Sequence, residues 1–380
     1  MLPNPFQHIA LLGVGQMGAS LAKALHAKAG CARITGYDAK AEQASSLVEA
    51  GVLTLCDTPS EAVQGADLVV FCVPMGAYGP LMSEIEPALK EGTIVTDIGS
   101  VKEYAVEVLE PHLNDHVFVP SHPIAGSERT GAATSSAGLF EGKLFFVTLQ
   151  SEEPRKEDEQ VLALWRALGA DAQYLPLEMH DQIYALMSHV PQALAYVSAH
   201  QMRSLGVTGI DATTKRHLRI SQSDPIMWRD VYMHNRENIV EMLDFYLHIL
   251  GHIKHELLSG AKEGQQETSD VAMQPQAVLP YVLASSLVST VTLYESKLEL
   301  PLYPFAAGGF KDFTYAASGD PEPVMQAISA HAGDVAMWLE SCEQMVRGLM
   351  QAIQSNNDNA LLVELTLMQQ SGKGLCNSSA

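Results

Sequence analysis

The sequence predicts an α/β domain followed by an all-α domain, and three observations predict it. From residue 8 to about 176, short apolar β-rich runs alternate with helix-length stretches. A glycine-rich turn, Gly13-Val-Gly15-Gln-Met-Gly18, directly follows the first run. From about Glu178 strand runs stop, and apolar residues recur at helical spacing to about residue 353. Alternating β and α runs mean parallel strands with crossover helices. The expected domains are 1–176 and 177–355, with a C-terminal tail at 356–380, polar and frayed over Ser355–Asn359 and Ser371–Ala380.

Taken in order, His8–Leu12 reads as the first strand, its Ile9-Ala-Leu-Leu12 run apolar enough to be covered on both faces. A helix over Ala19–Ala29 follows. Ile34–Tyr37, Leu68–Val73, Thr93–Thr96, Val117–Val119 and Leu144–Leu149 are further strands, and Glu153–Leu168 is a helix. In the second part Asn235–Leu258 is a long helix: Ile239, Met242, Leu243, Tyr246, Ile249, Leu250 and Ile253 share one face. Ser259–Thr268 reads as a loop. Asp224-Pro225 and Asp320-Pro321 each precede a long helix. Aligning them sets Lys215 on Lys311, Ile239 on Val335, Leu243 on Leu339 and Leu250 on Val346, and upstream Pro191 matches Pro280. Two readings stay open: a duplication of about 179–260 as 270–353, or chance likeness of two helix pairs.

Composition narrows the function. Of the 380 residues, 47% are apolar and 18% charged, which is a globular and not a disordered balance. With 23 basic and 44 acidic residues the net charge is −21, so nucleic acid and anionic membranes are unfavourable partners. Runs such as Leu68–Met75 are too short to span a bilayer, and the first residues lack the basic and apolar regions of a signal peptide. The cysteines (Cys31, Cys56, Cys72, Cys342, Cys376) are odd in number and form no CxxC pair. That argues against a zinc site or a disulfide framework and fits a cytoplasmic location.

The glycine turn has the context of a dinucleotide site, between a strand and a helix. Gly13 permits the tight turn, Gly15 lets a pyrophosphate approach, and Gly18 lets helix and strand pack, with Gln16 and Met17 between them. The helix start offers N–H groups to phosphate. The domain is thereby expected to be Rossmann-type. Asp38, closing the second strand, would accept the adenosine ribose hydroxyls and repel a 2′-phosphate, favouring NAD; Lys40 nearby leaves NADP use open. Val73-Pro74 and Asp97-Ile-Gly-Ser100-Val-Lys102 end strands at the edge where ligands bind. His122, in Ser121-His-Pro-Ile-Ala-Gly-Ser-Glu128, is placed for acid–base work.

Together these stretches resemble the prephenate/arogenate dehydrogenase family in order and spacing. So do Ser188-His189-x-Pro191, Ser223-Asp-Pro-Ile-Met-Trp-Arg-Asp230 with Asn235-Arg236, and Gly308-Gly-Phe-Lys-Asp-Phe-Thr314. The resemblance covers residues 8 to about 350 and implies NAD-dependent oxidative decarboxylation of prephenate to 4-hydroxyphenylpyruvate, on the way to tyrosine, with no metal. It implies His122 as base, Ser100 bonded to the same hydroxyl or orienting His122, and His189 and Arg219 as holders of the carboxylates. Ser127 and Glu128 are substrate-side residues of the His122 loop, Glu128 as a gate or a solvated acid. Gln192 stands where the family has a second histidine, and the substrate could equally be arogenate. β-Hydroxyacid dehydrogenases share the architecture but do not require His122. The family's Gly-Gly-Phe loop and arginine are split between the repeats: Arg219 lies in the first, Gly308-Gly-Phe with Asp312 in the second. The expected result is a composite site with Asp312 approaching Arg219 or Arg216, in a pseudo-dimeric monomer or in an ordinary homodimer as in the family.

Overall fold

The computed structural model describes residues 5–30, 33–113, 116–126, 129–261 and 275–377. Two units divide between Asp181 and Gln182, a little beyond the boundary expected after 176. In the first, β1 (His8–Leu12), α1 (Gln16–Ala24), β2 (Arg33–Tyr37), α2 (Ser45–Glu49), β3 (Thr54–Leu55), α3 (Pro59–Val63), β4 (Leu68–Phe71), α4 (Tyr78–Ile85), β5 (Ile94–Asp97), α5 (Lys102–Leu109) and β6 (Val117–Val119) succeed one another. They form a six-stranded parallel sheet of order β3-β2-β1-β4-β5-β6. Its order reverses between β1 and β4, so the crevice at their carboxyl ends is the place for a ligand. β1 and β4 are buried throughout, as their apolar runs require.

A second sheet follows. β7 (Ser121–Pro123) pairs antiparallel with β8 (Leu144–Leu149), which pairs parallel with β9 (Asp171–Pro176) across α6 (Lys156–Ala167). β3, β7 and β9 were not expected. β3 and β7 are only two and three residues long, and β9 alternates exposed and buried positions without a continuous apolar run. The first helix starts at Gln16, earlier than expected, and passes through a π turn, Leu25–Ala29, before Gly30 reverses the chain at φ 58°.

A buried ion pair ties the sheet edge together. Lys102 and Asp97 are both fully buried; Lys102 Nζ donates to Asp97 Oδ2 and, at 2.8 Å, to the Ser121 carbonyl. Asp97 also accepts from Tyr78 at 3.0 Å and from the Ser121 amide at 3.2 Å. Burial pushes the Lys102 ammonium pKa down, and Asp97 opposes that shift. The stretch anticipated as a ligand loop thus joins β5 to β7 and fixes the start of the His122 segment.

α7 (Leu177–Tyr184) crosses the division. The second unit is helical: α8 (Val190–Ser204), α9 (Ala212–Leu218), α10 (Pro225–His234), α11 (Arg236–Ala261), α12 (Pro275–Leu298), α13 (Gly308–Thr314), α14 (Pro321–Ala330), α15 (Ala332–Gln354) and α16 (Asp358–Asn377). The expected loop at Ser259–Thr268 begins as helix through Ala261 and otherwise lies outside the described residues. One helix segment, Val278–Leu298, is long and apolar enough to cross a membrane, contrary to the reading of the apolar runs. Val278, Leu279, Val282, Leu283, Leu287 and Val291 are buried inside the unit, and Ser286 and Thr290 bond back to the preceding turn, so this is a core helix. The tail expected at 356–380, frayed over 355–359 and 371–380, is also corrected, since 358–377 form α16. Leu361, Leu365, Met368 and Leu375 bury one face of α16, and a Cβ at Gly372 would come within 2.1 Å of Ser221 Oγ.

Lys102→Met should cost about 3–5 kcal/mol of stability at neutral pH, because Asp97 is left as an uncompensated buried charge. Adding Asp97→Asn should return a large part of that loss in denaturant titrations. Equal losses in the single and double variants would contradict the pairing.

Candidate active site

The dinucleotide cradle follows from local sterics. Gly13 sits at φ +97°, and a Cβ there would lie 2.6 Å from the Cys72 carbonyl oxygen and 2.8 Å from Val73 Cγ1. A Cβ on Gly18 would lie 2.0 Å from the Gly13 oxygen, so helix and turn touch backbone to backbone. At Gly15, the N-cap of α1, a Cβ would meet nothing within 4 Å. The turn is thus closed toward the sheet and open where a pyrophosphate would approach. Asp38 ties it down: Oδ2 accepts from the Val14 amide at 2.7 Å and Oδ1 from the Lys40 amide at 2.8 Å. Gln16 donates to Thr134 Oγ1 at 3.0 Å. Val73 is half-buried and Pro74 exposed at the end of β4. These residues fit a dinucleotide.

His122 lies on β7, half-buried, and its loop returns over α1: the position of a Gly126 Cβ is 3.5 Å from Met17 Sδ. Behind His122 stands a buried relay. His122 Nδ1 is 3.0 Å from His180 Nε2, the rings meeting edge to face, and His180 Nδ1 is 2.7 Å from Asp181 Oδ1. Asp181 in turn accepts from the amides of Lys102, at 2.8 and 3.1 Å, and Glu103, at 2.9 Å, which open α5. Burial alone would raise the Asp181 pKa; His180 and the two amides outweigh it and hold the carboxyl below its ordinary value. Burial also pushes His180 down, against the opposing pull of Asp181. A neutral His180 beside an ionised carboxylate carries its proton on Nδ1. Its Nε2 then accepts from His122 Nδ1–H, which makes Nε2 of His122 the basic nitrogen. Ser100 is half-buried in the turn between β5 and α5. Ser127 and Glu128 lie outside the described residues.

The remaining expected residues belong to the helical unit. His189 is fully buried, and its Nδ1 is 3.1 Å from Asn235 Nδ2. Asn235 Oδ1 accepts from Asn238 at 2.7 Å, so Asn235 presents its NH₂ to His189, whose proton then sits on Nε2. The Trp228 ring meets His189 edge-on at 6.0 Å. Gln192 is buried and donates to the Ile220 carbonyl at 2.8 Å, bracing the turn that carries Arg219. Arg219 Nε donates to Asp312 Oδ2 at 2.6 Å and Arg216 Nε to Asp312 Oδ1 at 2.8 Å, so Asp312, expected to approach one arginine or the other, meets both within one chain. His217, between them, is fully buried: it donates to the Phe313 carbonyl at 2.9 Å and packs on the Phe313 ring at 4.0 Å.

The strand order, the glycine turn with Asp38, and the histidine at the sheet's carboxyl edge define a dinucleotide-binding unit of the Rossmann class joined to a helical unit. Profile comparison makes the class particular. The profile described as prephenate dehydrogenase, nucleotide-binding domain, matches residues 21–174; that described as prephenate dehydrogenase, dimerization domain, matches 176–269 and again 265–369. The chain belongs to the prephenate dehydrogenase family of oxidoreductases. It is 32% identical over 251 residues to a cyclohexadienyl dehydrogenase of Zymomonas mobilis, covering 64% of this chain and 85% of that one. It is 27% identical over 259 residues to a prephenate dehydrogenase of Bacillus subtilis, covering 65% and 69%. A crystal structure of Aquifex aeolicus prephenate dehydrogenase with hydroxyphenyl propionate and NAD+ superposes with TM-score 0.61 at 28% identity, covering 77% of this chain and 96% of that one.

His180 and Asp181 were not singled out by sequence reasoning. Their one local signal is a His-Asp pair in the first helix after the last strand; the contacts that give them meaning span 58 and 79 residues.

His217 yields a pH prediction. Burial lowers its pKa to about 4 from an ordinary 6.5. The unfolded chain therefore binds the extra proton between those values, and stability falls as pH drops through that window, by on the order of 3 kcal/mol. Denaturation of His217→Gln beside the wild type should show a difference that changes with pH between about 6.5 and 4. A pH-independent difference would contradict the burial of a neutral imidazole.

Proposed function

We propose that this chain is a prephenate dehydrogenase, oxidatively decarboxylating prephenate to 4-hydroxyphenylpyruvate with NAD as hydride acceptor. The observation that carries this reading is the His122–His180–Asp181 relay beside a cradle fitted to a dinucleotide. The domain name and the NAD+ of the Aquifex aeolicus complex support the cofactor. Asp38 supports NAD over NADP, since a carboxylate at that strand end repels a 2′-phosphate.

Gly13, Gly15, Gly18 and Asp38 would hold NAD, which would supply the acceptor for the hydride on the ring carbon that bears the hydroxyl. His122 Nε2 receives the hydroxyl proton as that oxygen becomes a carbonyl. The positive charge on His122 is stabilised through Nδ1–H on neutral His180, which Asp181 keeps in the accepting tautomer. The bond to the ring carboxylate then breaks, CO₂ leaves, and its electron pair makes the ring aromatic. His122 returns its proton to the phenolate oxygen, so protons balance. Ser100, at the turn after β5, bonds the same hydroxyl or orients His122. Arg219 and His189 hold carboxylates by charge-assisted and neutral N–H donors. Glu128 gates entry. The likeness to a cyclohexadienyl dehydrogenase, whose name specifies the ring and not the side chain, keeps arogenate as the alternative substrate. Kinetics with the two acids decides between them. The enzyme works in the cytoplasm.

Two variants test this reading. His122→Asn should lower kcat about 10²–10⁴-fold with NAD affinity kept; a kcat within a factor of a few removes His122 as base. Asp38→Ala should weaken NAD and relax discrimination against NADP. An unchanged ratio of kcat/KM for the two cofactors would take Asp38 out of the site.

A further inference from the structure

From α9 onward the helical unit repeats itself with a constant displacement of 96 residues. α9 and α13 are both seven residues long, and α10 and α14 are both ten. Asp224 and Asp320 cap the latter pair at φ,ψ of −63°,119° and −64°,122°, each accepting from the amide two residues on. Asn235 and His331 end them at −115°,28° and −126°,31°.

The contacts between the two sets are reciprocal. Arg216 bonds Asp312 and His217 bonds Phe313, both across 96 residues, which is the displacement itself. A residue meets its own counterpart beside a twofold axis or in a translational stack; contacts exchanged between unlike positions belong to the twofold. Arg219 bonds Asp312; the counterparts of that pair are Tyr315 and Arg216, and Arg216 lies 3.9 Å above the Tyr315 ring centroid. α8 packs on α15 as α12 packs on α11, and α11 packs on α15. Chance likeness of two helix pairs would not produce mated contacts, and the dimerization-domain profile matches once on each set.

The sets differ in chemistry. Where the first has Arg219, Trp228, Arg229-Asp230 and Asn235, the second has Tyr315, Val324, Met325-Gln326 and His331, and upstream, aligned on Pro191 and Pro280, His189 is matched by Val278. The first in turn has Ala212-Thr-Thr214 where the second has Gly308-Gly-Phe310.

We propose that the helical unit is a dimer folded into one chain: residues 275–354 occupy the place of a second subunit, have given up their own anion site, and supply Asp312 to position Arg219. The last two clauses rest on Arg219 and His189 as carboxylate holders; the first does not. Asp312 is a positioning residue. It grips Arg219 through Nε, one of five guanidinium donors, and leaves a side chain about one third exposed.

The test starts from native side chains. Lys254 Nζ, on α11, is 2.6 Å from Glu340 Oε2 and 2.8 Å from Glu343 Oε1, on α15. Carbodiimide should couple them, and the linked peptide should come from the monomer band of a denaturing gel. Recovery of that link from a covalent dimer would overturn the folded-in dimer. A Lys254→Cys/Glu340→Cys protein joined by a bismaleimide is read the same way if the native pair does not couple. Asp312→Asn should raise the prephenate KM about tenfold, with kcat and the NAD KM within a factor of two, and Asp312→Glu should restore most of it. An unchanged KM in Asp312→Asn would overturn the positioning role. An unchanged KM in Arg219→Gln would instead remove the carboxylate reading and leave the intrachain link standing.

Discussion

One buried carboxylate, Asp181, organises the candidate chemistry. It caps the first two amides of α5 and accepts from His180 Nδ1. A helix start lacks internal partners for its N–H groups and carries partial positive charge, so an anion there is stabilised even without water. That stabilisation keeps Asp181 ionised at a depth where a lone carboxyl would take up a proton. An ionised Asp181 fixes the tautomer of His180, and His180 fixes that of His122. The basic nitrogen of His122 is therefore set two residues behind it.

A second carboxylate does complementary work a few residues away. Asp97 neutralises Lys102 and bonds the amide of Ser121, so β5 and the strand bearing His122 are held at one spacing. Lys102 serves both anions, with its side chain toward Asp97 and its backbone toward Asp181. Neither interaction gains much free energy over an apolar core, because each charge was costly to bury. Both give the histidine one position and one protonation pattern. In the helical unit the same logic governs Arg219, whose guanidinium is oriented by Asp312 and whose turn is braced by Gln192 and by Gln369 of α16.

What the sequence disclosed was chiefly what is local. Gly13 and Gly18 are legible because a strand, a tight turn and a helix follow one another without a gap, and backbone contact there excludes any side chain. Asp38 and His122 are legible as polar residues closing β-rich runs. His180 and Asp181 were not, since a histidine and an acid on a helix look solvated until α5 and β7 are brought against them. α16 was missed because Gln, Ser, Gly and Lys dominate its end. Its buried residues Leu361, Leu365, Met368, Gly372 and Leu375 nevertheless recur at helical spacing, and that period outweighs composition. Asp312 was legible through the family-like Gly-Gly-Phe loop and through alignment of the two helical stretches on Asp224 and Asp320.

The central claim is that His180 is neutral, protonated on Nδ1, and accepting from His122. Nitrogen-15 NMR of the histidine rings tests it most directly. At neutral pH the account predicts a pyrrole-type Nδ1 and a pyridine-type Nε2 on His180, with a pyrrole-type Nδ1 on His122. It also predicts that Asp181→Asn disturbs both rings. A His180 protonated on Nε2, or charged at neutral pH, would contradict it.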